Sequence, residues 1–251
     1  MKRAKQADFS VRLDFRDSLR FFLPKKTHGS REKILHEKTS VKDAIEACGV
    51  PHPEVDLILI DGSPVNFAFL LDRKREAEIL GVRDSPERFQ NARLQIRGIS
   101  RFVADGHLGK LTRFLRLLGI DVLYDRFADD KKLLQMAVGE KRALLTRDRR
   151  LLMHAIVQHG YYLRSQRSDE QALEVVRRFD LSRAFAPFAR CLHCNAELDS
   201  VSKRELFSQL EPLTQRYYEN FRRCTGCGKI YWAGSHYPKL QARIAELTAR
   251  L

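Results

Sequence analysis

An α/β architecture, a parallel sheet with helices on both faces, is predicted by three observations. Between Arg101 and Phe179 short apolar strands alternate with apolar-periodic helices across short joints, the pattern that a parallel sheet requires. Before that stretch lie period-two segments around a single short helix, and after it come two Cys-x-x-Cys pairs. The chain therefore reads as three parts, residues 1–98, 99–188 and 189–251, and 251 residues with 43% apolar content suffice for folded cores.

Residues 8–15 (DFSVRLDF) and 31–38 (REKILHEK) alternate apolar and polar, as half-buried strands do. Thr39 and Ser40 supply a capping hydroxyl to the helix VKDAIEACG, which Gly49 ends. VDLILIDGSPV is a strongly apolar strand entering a turn at Asp61-Gly62, and a further strand is expected around Ala77 to Leu80. The polar, proline-containing segment Asp84–Arg97 reads as a linker. After it the rhythm changes. RFVAD, IDVLYD, RALLTRD and YYLRS read as strands; LGKLTRFLRLL, DDKKLLQMAVGEK, RRLLMHAIVQHG and DEQALEVVRRF read as the helices between and after them.

In the first of these helices Leu108, Leu111, Leu115 and Leu118 share one face and are expected against the sheet. Lys110, Arg113 and Arg116 form a basic stripe one turn past Asp105. Together with Arg147 they are expected to hold RNA phosphates, with Gly106 and Gly109 permitting close backbone approach; the competing reading is a solvated helix face.

The chemistry is expected at strand carboxyl ends, where open α/β sheets carry it. Asp105 and Asp148 each end a strand, and Asp129-Asp130 opens a helix between them. Taken singly, each of these aspartates is explained by helix capping. As a set, three converging carboxylates repel one another unless a cation sits among them, and oxygen ligands suit Mg²⁺ or Mn²⁺. The set points to a metal-dependent phosphodiesterase.

Asp105, Asp130 and the Thr146-Arg147-Asp148 motif resemble PIN-like nucleases. The likeness is closer to the RNase domain at the C-terminus of Mut-seven-type exonuclease proteins, carried by DGHLGKLTRFLRLLGIDVLYD, the DD before the next helix, EKRALLTRDRRLL, RCLHCN and CTGCGKIYWAGSH, over roughly residues 101–238. The resemblance implies hydrolysis of RNA phosphodiester bonds with Mg²⁺ or Mn²⁺. Asp105 and Asp148 would be direct ligands, Asp130 would complete the acidic set, and Thr146 would orient a carboxylate or water. Asp125 and Asp129 rival Asp130, which is preferred because it precedes KKLLQMA. Arg149 and Arg150 stand where PIN-like sites often carry a fourth acid, so one- and two-metal schemes both stay open. The N-terminal part resembles the ubiquitin-like β-grasp of small sulfur carriers, in the stretch SVKDAIEACGVPHPEVDLILIDGSPV, and implies a possible protein partner; Cys48 reads as a small buried residue rather than a reactive thiol.

Cys191, Cys194, Cys224 and Cys227 have the spacing of a closed tetrahedral Zn²⁺ site, a zinc ribbon with a structural metal, in preference to disulfides. His193 is expected to be a bystander. Tyr231, Trp232 and His236 suit either base stacking or the ribbon's own small core, with core preferred.

A net charge of +14, spread as +4, +6 and +4 over residues 1–100, 101–188 and 189–251, predicts a polyanionic partner, RNA, on folded surfaces rather than on a tail. The leader MKRAKQADFSV has no apolar segment behind its basic residues and no long apolar run follows, so neither a signal peptide nor a membrane span is expected and the cytoplasm is the default compartment. Two other functions fit the same residues: a non-catalytic RNA- or ribosome-binding adaptor, and a toxin-like nuclease held by a partner.

Overall fold

β1 (Phe9–Phe15) buries Val11, Leu13 and Phe15 and exposes Arg12, as its alternation predicts. The computed structural model describes residues 8–251; the first seven residues of the leader discussed above lie outside the described residues. β2 (Ser30–Leu35) pairs with β1, and β3 (Thr39–Ser40) leads into α1 (Val41–Glu46), where Ser40 Oγ accepts the Asp43 amide at 3.1 Å. β4 (Val55–Ile60), buried at all six residues, is followed by β5 (Ser63–Val65), β6 (Leu70–Leu71) and β7 (Arg75–Gly81). The main sheet has the order β2-β1-β7-β4-β5, with β1 and β7 parallel and the other neighbours antiparallel. α1 sets Val41, Ala44 and Ile45 in one core with Leu13, Phe15 and Ile58, which is the expected ubiquitin-like arrangement.

The segment read as a linker is instead a strap across β4. Leu57, Leu59 and Leu80 are covered by Phe89 and Ala92. The buried Asp56 carboxylate accepts Arg93 Nη1 at 2.7 Å and the Gln95 amide at 3.1 Å, and its carbonyl accepts the Leu94 amide at 2.7 Å. A carboxylate inside a fully buried strand needs such partners. The polar residues of the strap supply them, so their polarity signalled hydrogen bonding rather than freedom.

The chain continues through β8 (Arg101–Ala104), α2 (Gly109–Leu117), β9 (Asp121–Tyr124), α3 (Asp130–Gly139), β10 (Ala143–Thr146), α4 (Arg149–Leu152), β11 (Gly160–Tyr162) and α5 (Ser168–Phe179). β8 pairs with β9 and β10 with β11, both in parallel, so the α/β class is the one observed. Then come β12 (Leu198–Val201), α6 (Lys203–Leu206), α7 (Pro212–Tyr217), β13 (Phe221–Cys224), β14 (Ile230–Trp232) and α8 (Tyr237–Thr248); β12, β13 and β14 form an antiparallel sheet.

Two compact units arise: residues up to Arg97 with Ala143–Tyr162, and Gly98–Arg142 with Leu163–Leu251. In the first, the Arg149 guanidinium lies over the Phe21, Phe22 and Tyr162 rings at 5.8, 5.1 and 5.6 Å and donates to the Phe22 carbonyl at 3.2 Å. Glu54 Oε1 accepts the Tyr162 amide at 2.7 Å, and His52 Nε2 meets the Val157 carbonyl at 2.6 Å. The segment carrying Thr146 and Asp148 is thus tied to the turns Asp17–Phe22 and His52–Glu54 of the ubiquitin-like part. The helix expected over RRLLMHAIVQHG stops at Leu152, because the chain must turn back to pair Gly160 with Leu144.

In the second unit Leu108, Leu111, Leu115 and Leu118 are buried, as their spacing predicts. Gly119 ends α2 at φ +86°, where a Cβ would collide with the Ala186 carbonyl oxygen, so only glycine admits that approach. α8 folds back, placing the Arg243 guanidinium 3.8 Å from the centre of the Phe114 ring and within 2.5 Å of Asp169.

Candidate catalytic carboxylates and metal centre

Asp105 stands at the end of β8, in the position that would cap the turn Gly106–Leu108, but its side chain makes no capping hydrogen bond there. Capping therefore does not account for it. Asp130 begins α3, while its neighbour Asp129 caps that helix by accepting the Lys132 amide at 2.8 Å. Asp125 is engaged by Lys132 Nζ at 2.5 Å and by the Phe127 amide at 2.9 Å, and the lysine beside it holds its carboxyl below the usual range.

Thr146 is buried, and its Oγ1 accepts the Asp148 amide at 2.9 Å, which fixes the backbone at the end of β10. Asp148 caps α4 through the amides of Arg150 at 2.7 Å and Leu151 at 3.2 Å. Asp105 and Asp130 belong to one compact unit and Asp148 to the other. Among the described residues, Cys191, Cys194, Cys224 and Cys227 form a group of metal-ligating side chains whose donor atoms all lie within 4.8 Å of one another.

The expectation for the glycines beside Asp105 is corrected. A Cβ on Gly106 would lie 2.9 Å from the Arg126 carbonyl oxygen and one on Gly109 2.8 Å from Tyr124 Oη, so these glycines admit protein atoms rather than a phosphate. Tyr124 Oη closes the contact by donating to the Gly106 carbonyl at 2.7 Å.

Cys191, Cys194, Cys224 and Cys227 converge: Sγ of Cys191 and Cys227 are 3.7 Å apart, and those of Cys194 and Cys224 are 3.2 Å apart. A tetrahedral ZnS₄ centre with Zn–S about 2.3 Å sets its sulfurs roughly 3.8 Å apart, so the residues present fit Zn²⁺. Backbone amides of Gly226 and Cys227 each point at Cys224 Sγ from 3.4 Å, and the Cys194 amide points at Cys191 Sγ from 3.5 Å. Burial would push the Cys191 thiol up, but the Tyr231 hydroxyl and the amides of Cys194 and His193 outweigh it and bring it down to about 6. Cys194, by contrast, is pushed up to about 12 by burial and by the neighbouring sulfurs. Four thiolates at this distance require a cation, and with all four ligands supplied by protein no position is left for substrate.

Residues 100–244 match the family model of the Mut7-C RNAse domain. The chain belongs to the Mut7-C RNAse domain family. Residues 9–82 match the model of the Mut7-C ubiquitin domain, so a ubiquitin-like part precedes the RNase region in the chain. No curated protein matches the chain. The Mut7-C RNAse match takes in Asp105, Asp130, Asp148 and all four cysteines. No helix among the described residues is long and apolar enough to cross a membrane.

Of the basic residues expected on RNA, Lys110, Arg113 and Arg147 are exposed, but Arg116 is only 3% exposed. Arg116 faces inward and ties the Mut7-C RNAse helix to the first cysteine knuckle. Its guanidinium donates to the Val122 carbonyl at 2.8 Å and to the His193 carbonyl at 2.6 Å. Periodicity missed this, because a long cationic side chain can lie on either side of a helix boundary stripe.

Sequence reading also passed over Asp121, at the start of β9, and Asn195, just past the first knuckle. Arg142 Nη1 donates to Asp121 at 2.6 Å and Asn195 Nδ2 at 2.7 Å, while Asn195 Oδ1 accepts the Val122 amide at 3.0 Å. Burial would raise the Asp121 carboxyl, but the Arg142 and Asn195 hydrogen bonds override it and hold it below its ordinary value. A depressed folded-state pKa stabilises above the unfolded value of about 3.9 and ceases to do so as pH falls through the folded value. Denaturant titrations at about pH 5 and about pH 3 are therefore expected to show an Asp121→Asn variant less stable than wild type at the higher pH, with the gap closing at the lower.

Proposed function

We propose that the chain is a metal-dependent ribonuclease that hydrolyses RNA phosphodiester bonds, with Asp105, Asp130 and Asp148 as its carboxylates. The Mut7-C RNAse match supplies the nuclease class. The observation that supports the finer reading is position: Asp105 directly follows β8 and Asp148 lies just past β10, at carboxyl ends of parallel strands inside the Mut7-C RNAse match. Oxygen donors of this kind suit Mg²⁺ or Mn²⁺. When bound, such an ion offsets charge on the phosphoryl oxygens and makes water a stronger nucleophile. Asp105 and Asp148 would be its direct ligands, Asp130 would complete the negative set, and Thr146 would hold the Asp148 backbone. Lys110, Arg113 and Arg147 would neutralise phosphates alongside.

A second reading, a non-catalytic RNA-binding adaptor, is favoured by one observation: Asp129 and Asp148 both spend carboxylate oxygens on helix caps. Labelled single-stranded RNA separates the two. The zinc-loaded protein is expected to cleave it only when Mg²⁺ or Mn²⁺ is added, and Asp105→Asn is expected to abolish that cleavage. Equal cleavage by Asp105→Asn, or binding without cleavage under every added metal, selects the adaptor.

A further inference from the structure

The zinc-bearing end of the chain carries a feature that the carboxylates do not use. A groove of about 1270 Å³ runs between the β12-β13-β14 sheet and the segments around Phe188, α7 and the start of α8. It exceeds the roughly 300–1,000 Å³ of small-molecule pockets, which suits a polymer. Contrary to the expectation that Trp232 belongs to the ribbon's core, the residue is 42% exposed. It rests on Phe221 and Tyr218, at ring-centre distances of 6.3 and 6.5 Å, and Phe221 is itself buried with Leu206 and Leu210. The shelf is therefore held from below and open above. Tyr217, 66% exposed on α7, also lines the groove.

The charge around these rings identifies the occupant. The one carboxylate in the lining, Glu219, is paired with Lys203 at 2.5 Å. Cations accompany the aromatic rings: Arg216 lies over Tyr217 at 5.5 Å and Lys229 over Tyr231 at 6.0 Å. Arg222 and His236 line the groove itself. Exposed aromatic faces beside cations, with acid neutralised, match unpaired bases on a phosphate backbone.

We propose that this groove binds a single-stranded segment of RNA, stacking bases on Trp232 and Tyr217 while Arg216, Arg222 and Lys229 meet the phosphates. RNA as the polymer rests on the ribonuclease reading above. Held there, a strand would be presented in unpaired form by a module separate from the carboxylates.

Trp232 is the chain's single tryptophan, so its fluorescence reports the groove directly. The full-length, zinc-loaded protein, free of Mg²⁺ and Mn²⁺, is titrated with a short single-stranded oligoribonucleotide and with the same sequence as duplex. Saturable quenching by the single strand and little by the duplex is expected. By fluorescence anisotropy of labelled RNA, Trp232→Ala and Tyr217→Ala should each weaken binding by about 5- to 150-fold, the range set by one stacked base, while Trp232→Phe stays near wild type. Bound zinc, measured in each variant, confirms that the module is intact. Unchanged fluorescence at saturating RNA, or wild-type affinity in zinc-loaded Trp232→Ala, overturns the proposal. RNA cleavage with silent tryptophan sinks the groove and spares the nuclease; quenching with no cleavage under any metal does the reverse.

Discussion

Asp148→Asn is expected to lower RNA hydrolysis by about 100-fold or more, the scale on which a single group aimed at transition-state charge contributes, while leaving folding stability nearly unchanged. The two parts of that expectation come from different atoms of one side chain. As a cap, Asp148 accepts the Arg150 and Leu151 amides through one oxygen, Oδ1. Asparagine caps helices about as well as aspartate and keeps an oxygen for those amides, so α4 retains its start. As a ligand for a hard cation, however, the neutral amide is far poorer than a carboxylate. Asp148→Ala removes both functions and should add a stability loss of about 1 kcal/mol to the loss of activity. Initial rates with Mn²⁺, paired with urea unfolding of the two variants, check this. Wild-type rates in Asp148→Asn would reduce the residue to a cap and remove it from the chemistry.

The features that the sequence made legible are those in which one spacing has one physical solution. Two Cys-x-x-Cys pairs converge because no other arrangement satisfies four thiolates, and Leu108, Leu111, Leu115 and Leu118 are buried because a helix has one apolar face. Illegible features were those decided by partners distant in the chain. Arg116 is indistinguishable from Lys110 and Arg113 by periodicity, but the carbonyls at Leu192 and His193, far along the chain, draw its guanidinium inward. The strap over β4 reads as a linker until the buried Asp56 shows what its polar groups bind. Gly106 and Gly109 suggest a phosphate cradle until Arg126 and Tyr124 fill the space. At the candidate site, composition and position marked Asp105 and Asp148, but not which of them caps a helix; that depends on a turn geometry that residue type does not encode.

Removing zinc is expected to unfold residues 189–232 and, through Arg116, to loosen α2 as well. The ribbon's own buried cluster contains Leu206, Leu210 and Phe221. Three such side chains stabilise by about 1.5–3 kcal/mol each. Ordering backbone costs about 1–2 kcal/mol per residue, so a cluster of that size does not hold several tens of residues in place. Zinc binding in small modules contributes about 10–16 kcal/mol, enough to decide the state of the segment. Its loss leaves Cys191 and Cys224, both buried, without the charge that keeps four sulfurs together. Once the first knuckle opens, the Leu192 and His193 carbonyls no longer accept from Arg116, and a buried guanidinium keeps only the Val122 carbonyl. A buried charge so deprived destabilises its helix by a few kcal/mol, and α2 is the helix that follows Asp105. Chelation should therefore depress RNA cleavage even with Mn²⁺ restored, although no cysteine takes part in the chemistry. Hydrogen exchange on the metal-free protein and on Cys224→Ser measures both effects: amides of β12, β13 and β14 should lose protection first and those of α2 in part. Full protection of β13 in protein shown to carry no zinc would mean that apolar packing alone folds the ribbon.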